Sequence, residues 1–279
     1  MSIDREFEQI GNQVDRVLGS AENSIAKEYG ELLKELRRLI SDYYAKYSDA
    51  EGKLTYQEMA KYDRLQKMEK KLTKAIRDKT VTVAGHIRKG LREALTTAFE
   101  RTQGAVEAKI GRKLRGVLKP ETINAALQNP VSGLTLNRRL QARRADIILR
   151  IDETITQGLI KGESYRDMAA RLKDELEKDT AKAYRIVRTE GHRVQEQGKK
   201  ESLDYASNQG VKMKKIWRSS QDERVRDSHQ HMDGVEVDYE EDFYNPHTGG
   251  RGPHPGAMGT AEDDINCRCV FTVEVVKVK

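Results

Sequence analysis

Apolar residues recur at helical spacing through the first two-thirds of the chain. Ile3, Phe7, Ile10, Val14 and Val17 follow at steps of 4, 3, 4 and 3, an amphipathic seam of the coiled-coil kind. A second stretch runs through Leu32, Leu33, Leu36, Leu39, Ile40 and Tyr43. Residues 48–55 interrupt the pattern, and Thr55 is placed to cap a new helix with Glu58 three residues on. That helix carries Leu65, Met68, Leu72 and Ile76 on one face and continues to about Gly116, with Gly85, Gly90 and Gly104 as its weak points. Pro120 and Pro130 bracket a short helix, and residues 130–134 read as a loop. Helix resumes near Asn137 and runs to Ile160. Gly162 then suits a left-handed C-terminal position and Ser164 the next N-cap. Two further helices are expected, from Tyr165 to about Glu177 and from about Thr180 to Gln209.

At Gly210 the period changes. Val211–Trp217, residues 234–238 and residues 271–278 alternate as strands do. Residues 244–260, rich in Gly, Pro and His, form a loop between them. The expected fold is a mainly α region of long helices over residues 1–160, then a small α+β domain with an antiparallel sheet over 161–279.

Composition sharpens this picture. A charged fraction of 34% with only 6% aromatics suits long solvated helices that bury a narrow stripe. No apolar run is long enough for a membrane span, and the N-terminal residues lack the apolar region of a signal peptide. Two cysteines in a Cys-x-Cys pair make no disulfide framework, so a reducing compartment is expected. Net charge is +6, and it is unevenly spread. Residues 84–150 hold 14 Lys/Arg against 5 Asp/Glu, whereas residues 1–83 hold 16 against 15. Within the basic stretch, Arg88, Lys89, Arg92, Arg112, Lys113, Arg115, Arg138, Arg139, Arg143 and Arg144 are candidates to meet nucleic-acid phosphates or an acidic protein surface. A solvated helix face is the plainer reading of the same residues.

The chemically distinctive residues lie late in the chain. Both cysteines, the single tryptophan and five of six histidines follow residue 190. Glu190 falls on the apolar stripe of Ala183, Ile186, Val187 and Val194. A carboxylate facing a core needs a partner, and Arg224, Arg226 or Arg268 from the sheet region is the expected one. Use of Glu190 as a base is the competing reading. Strand register puts Cys267 and Cys269 on the face of Phe271, Val273 and Val275, and Arg268 on the other. Two buried small thiols are the plain interpretation. The sharper one is a zinc site of His229, His254, Cys267 and Cys269, since thiolate and neutral imidazole are good ligands for that ion; with these spacings no cofactor is the default expectation. A Cys269–His254–Asp222 triad can be drawn but carries no accompanying motif. Asp222 reads as a turn residue bonding local backbone N–H groups.

The tail as a whole resembles a known family. Arg188-Thr-Glu190, Trp217, Asp222-x-Arg-x-Arg-x-x-His229, Gly234, Pro253-x-Pro255 and Ile265-Asn-Cys-Arg-Cys269 together are similar to the signature of Mu-F-like phage minor head proteins, also called phage head morphogenesis proteins. The resemblance covers roughly residues 160–276. It implies a minor capsid component of a tailed bacteriophage, assembled in host cytoplasm and placed in the capsid interior or at the portal vertex. The implied partners are the portal protein, scaffold or major capsid protein and double-stranded DNA, with no membrane. Other members carry Cys-x-x-Cys and His-Pro-Asn-Cys arrangements that point to a metal. Here Arg226 and His229 stand at the first of these, and His254 is far from Asn266. That departure favours a hydrogen-bonded polar centre built from Arg188, Glu190, Trp217, Asp222, Arg226, His229, Gly234, Asn266 and Arg268. The competing function is an enzyme-like C-terminal domain, a hydrolase, nuclease or toxin-like transferase, using His229, Glu190 and Cys269.

Overall fold

The computed structural model describes residues 3–131 and 133–278; Met1, Ser2, Lys279 and Ser132 of the expected loop lie outside them. Six helices precede the sheet: α1 Ile3–Tyr47, α2 Tyr56–Ala60, α3 Arg64–Ile110, α4 Pro120–Gln128, α5 Leu136–Lys161 and α6 Tyr165–Asn208. Strands β1 Val211–Arg218, β2 Glu236–Asp238 and β5 Val270–Val278 form an antiparallel sheet of order β2-β1-β5. A second pair, β3 Phe243–Tyr244 with β4 Arg251–Gly252, starts at the edge of the expected 244–260 loop and runs into it. The short helices α7 Asp227–Gln230 and α8 Ala261–Asp264 complete the tail. The expected fold class is the observed one. Among the described residues no helix is long and apolar enough to cross a membrane.

The seam of α1 departs from the coiled-coil expectation at one step. Leu18, not Val17, is the buried residue after Val14. From there the buried positions repeat every 11 residues: Phe7, Leu18, Tyr29, Ile40; Ile10, Ala21, Leu32, Tyr43; Val14, Ile25, Leu36. Steps of 3, 4 and 4 give about 3.67 residues per turn, close to the 3.6 of a straight α-helix. The apolar stripe therefore stays in phase over the whole 45-residue helix.

Local signals fall at the expected positions. The Thr55 side chain accepts the Glu58 N–H, Gly162 has φ +62° and Ser164 accepts the Asp167 N–H. Other boundaries differ. The helix expected from Thr55 onward is interrupted at Lys61–Asp63, and α3 ends at Ile110 and not near Gly116, while it runs unbroken through Gly85, Gly90 and Gly104 as expected. Gly90 faces α1, where a Cβ would meet the Ala21 methyl at 2.8 Å, so this glycine serves close packing. The break expected near residue 178 is absent, and α6 is continuous because Asp179 turns inward to a buried partner instead of ending the helix.

The chain divides into two compact units, each assembled from separated segments. One comprises the described parts of Met1–Ala21, Arg88–Asn137 and Arg185–Lys279; the other comprises Glu22–Ile87 and Arg138–Tyr184. In the second unit, Asp179 receives the Tyr29 hydroxyl and the Arg143 guanidinium at 2.6 Å, with Arg150 at 3.8 Å. Arg143 and Asp179 are 5% and 0% exposed, so Arg143 is an interior group and not part of an outward basic face.

In the same unit, Asp152 is half-buried and its Oδ1 has no hydrogen-bond partner. Burial and the nearby Glu69 carboxylate push its pKa up to about 6. The folded state therefore favours the protonated form, and this group's contribution is best below the unfolded value and is lost as pH rises toward 6. We expect Asp152→Asn to raise stability at pH 7 by about 1 kcal/mol, a figure reduced for solvent screening. The gain should vanish below about pH 4. Urea denaturation of both proteins across this range checks it, and equal stability at pH 7 would show that the charged carboxyl costs the fold nothing.

Candidate functional site: a thiol–imidazole cluster in the tail

The site is built on the sheet and the segments that cross it. Trp217, near the end of β1, is fully buried and lies opposite Phe271 of β5. Its backbone N–H donates to the Val235 carbonyl and its carbonyl accepts the Gly234 N–H. Gly234 has φ +79°, a turn conformation that glycine adopts without strain. The indole meets the His229 ring edge to face at 5.6 Å and the Phe243 ring at 5.4 Å. His229, on α7, is thereby pressed toward the segment entering β5.

That segment brings in the two cysteines. Cys267 and Cys269 face the interior with Phe271 and Val273, and Arg268 between them is exposed, as strand register requires. His229 Nδ1 lies 3.3 Å from Cys269 Sγ and 3.7 Å from Cys267 Sγ. On its other side, His229 Nε2 is 3.0 Å from Asp263 Oδ1. Asp263 also receives Asn245 Nδ2 at 2.9 Å and the hydroxyls of Thr248 and Thr260 at 2.6 and 2.7 Å. Burial opposes ionisation of Asp263, but these donors outweigh it and hold the carboxyl low. Burial likewise opposes a charge on His229, and Cys269 and Asp263 together lift its pKa above the ordinary value. The proximity of the two free thiols pushes Cys267 up and brings Cys269 down to about 5.

His254 stands apart from this cluster. Its Nε2 is 3.2 Å from Gln197 Oε1 and its Nδ1 2.9 Å from the Pro255 carbonyl, with the ring stacked on Phe271. Burial pulls its pKa down to about 3, so it is a neutral packing group. Of the four residues expected as zinc ligands, three converge. The drawn triad of Cys269, His254 and Asp222 does not assemble, because Asp222 is engaged elsewhere.

The remaining signature residues pair among themselves at several places. Asp222 takes a two-pronged bond from Arg268 and accepts the Arg224 N–H at 3.0 Å. Arg226 donates to the Ile265 carbonyl. Asn266, at φ +55°, donates its N–H to Thr189 Oγ1 at 3.4 Å, which ties the Arg-Thr-Glu motif to the Asn-Cys-Arg-Cys motif. Arg188 itself is exposed. Glu190 is fully buried, and Arg193 on the same helix pairs with it at 3.0 Å. One turn of helix brings the two side chains together.

Two groups of residues are absent from the sequence-based expectations. Glu196 and Lys199 form a fully buried pair at 2.7 Å on α6. Glu196 accepts the Phe271 N–H at 3.0 Å, and Lys199 donates to the Phe271 carbonyl at 3.1 Å while lying over the Phe7 and Phe271 rings. Burial pushes the carboxyl up and the amine down, and each opposes the other's neutralisation. Their i, i+3 spacing reads equally well as a surface pair, so no signal marks them. Asp263 with Thr260 does leave a signal: Thr260-x-x-Asp263 has N-cap spacing, and the Asp263 N–H does bond to Thr260 Oγ1.

Of the basic candidates, Arg88, Lys89, Arg92, Arg112, Lys113, Arg115 and Arg138 are exposed, and Arg139 and Arg144 are half-buried. Arg88 donates to Asn137 Oδ1, Arg112 to the Gln209 carbonyl and Lys113 to Glu107.

Comparison with known proteins fits this arrangement. Residues 149–272 match the family model for phage Mu protein F-like proteins. The chain is 34% identical to the minor head protein GP7 of Bacillus phage SPP1 over 95% of its own length and 85% of that protein. It is 36% identical to an NAD(+)–arginine ADP-ribosyltransferase of Enterococcus faecalis, over 53% of this chain and 30% of that protein. A Haemophilus influenzae protein of uncharacterised function is 32% identical over 47% of this chain and 26% of its own length. No solved structure matches. With a family match over residues 149–272 and a minor head protein alike over most of both chains, the chain belongs to the Mu F-like family of phage minor head proteins.

Proposed function

We propose that this head-morphogenesis protein works at the portal vertex, binding the portal protein as the head assembles, and that its basic stretch contacts double-stranded DNA there. Scaffold and major capsid protein are its further neighbours in this reading. The observation that carries it is the likeness to a phage minor head protein along nearly the full length of both chains. The exposed cations on and after α3 support the DNA contact, since phosphate binding needs charge more than shape.

Co-purification with the portal protein of the same phage, and recovery of the chain from purified particles, is the test. Absence from both overturns the reading. For DNA, retention should fall steeply with salt. Replacing Arg88, Lys89 and Arg92 by Gln should flatten the salt slope by about 0.9 for each phosphate that is no longer neutralised. An unchanged slope removes these residues from the interface.

The likeness to an ADP-ribosyltransferase favours a second reading, an enzyme-like tail using His229, Glu190 and Cys269. The shared segment is under a third of that protein. All three residues are buried within 1% exposure, and Glu190 is engaged by Arg193, which supports structural use.

A further inference from the structure

The thiols and imidazole described above are more than buried neighbours. Nδ1 of His229 and the sulfurs of Cys267 and Cys269 all lie within 4.8 Å of one another. A tetrahedral zinc ion, with bonds of about 2.3 Å to sulfur and about 2.0–2.1 Å to nitrogen, sets its ligand atoms roughly 3.5 Å apart. The two nitrogen-to-sulfur separations here, 3.3 and 3.7 Å, fall on either side of that value. Three potential ligand atoms thus stand within the span of one zinc ion.

The surroundings are those of a ligand shell. Asp263 accepts from His229 Nε2, so the ring proton sits on that nitrogen and the Nδ1 lone pair faces both sulfurs. Asn245, Thr248 and Thr260 hold Asp263 in place, and Gly250 leaves the room it occupies: a Cβ there would meet Asp263 Oδ2 at 2.0 Å. The indole N–H of Trp217 is buried with no hydrogen-bond partner of ordinary geometry and stands beside the Cys269 sulfur, as a donor toward a thiolate would. Charge also balances. Two thiolates and a neutral imidazole around a divalent cation make a neutral centre, which is the form a buried site tolerates.

We propose that His229, Cys267 and Cys269 bind one zinc ion in each chain, with a solvent molecule as fourth ligand, and that the ion clamps α7 to the start of β5. Binding releases two protons to solvent, one from the Cys267 thiol and one from the Cys269–His229 pair, and changes no oxidation state. His254 takes no part. Zinc binding is independent of the proposed partners and belongs to the isolated chain.

The test uses the full chain without a polyhistidine tag, purified without chelator. Elemental analysis should find about one zinc per chain. A mercurial thiol reagent should release it, and replacement by cobalt should give a thiolate-to-metal charge-transfer band. Excess chelator should lower the melting temperature, and added zinc should restore it. His254→Ala should keep the metal, whereas Cys267→Ser with Cys269→Ser, and His229→Ala, should lose it. Because those variants can misfold, the chelation result on the wild-type chain carries the test. Wild-type protein that holds no zinc, takes up none from zinc-containing buffer and melts unchanged in chelator overturns the proposal. So does a Cys267–Cys269 disulfide in the freshly isolated chain.

Discussion

Replacing Glu196 by Ala should destabilise the protein by about 3–5 kcal/mol, a large share of an ordinary domain's stability. The substitution leaves the Lys199 ammonium buried at 1% exposure with no counter-charge. It also strips the Phe271 N–H of its acceptor. The strand β5 sits at the sheet's edge, with β1 on one side only. On the other side the Glu196–Lys199 pair stands in for a neighbouring strand, accepting one backbone group of Phe271 and donating to the other. Removing both charges together, as Glu196→Met with Lys199→Met, should cost much less than the single change, because no orphan charge remains. Chemical denaturation of the three variants decides it. A Glu196→Ala protein within about 1 kcal/mol of wild type would show that the pair is not the brace described here.

A comparable loss, again about 3–5 kcal/mol, is expected for Asp179→Ala. The carboxylate collects Tyr29, Arg143 and Arg150 in the interior of its unit. Burial pushes its carboxyl up, and Arg143 and Tyr29 oppose that. Without it Arg143 is stranded at 5% exposure. Asp179→Asn should cost less, since the amide oxygen still accepts from Arg143. If the Ala variant unfolds at the same urea concentration as wild type with the same slope, the buried pair contributes nothing.

Much of the fold is legible in the sequence because it rests on period. The α1 seam, the Thr55 cap, the Gly162–Ser164 turn and the inward cysteines beside β5 all follow from spacing within one segment. Period fails where a residue's role depends on a distant partner. The charged run around residues 177–180 reads as a helix interruption because an acidic residue such as Asp179 carries no mark of burial there. Glu196 and Lys199 read as a solvated i, i+3 pair, and only the arrival of Phe271 makes them interior. Glu190 does lie on an apolar stripe, yet nothing in the spacing singles out Arg193, one turn away, as a partner. The same limit applies to the site. Spacing brings Cys267 and Cys269 to one face, but whether His229 or His254 joins them is a matter of tertiary geometry, and only His229 does.

The unbroken stripe of α1 also constrains how this chain can vary in length. Deleting one residue turns everything beyond it by about 100° around the helix axis and swings the apolar positions off the core. Removing or adding 11 residues returns them to phase. A gain or loss of four or seven leaves an error of roughly 33° on a stripe of about 3.67 residues per turn, which side-chain repacking absorbs in part. Viable length variants in α1 should therefore be quantised in these steps. A relative whose first helix differs by one or two residues should carry a compensating change of opposite sign within the same helix.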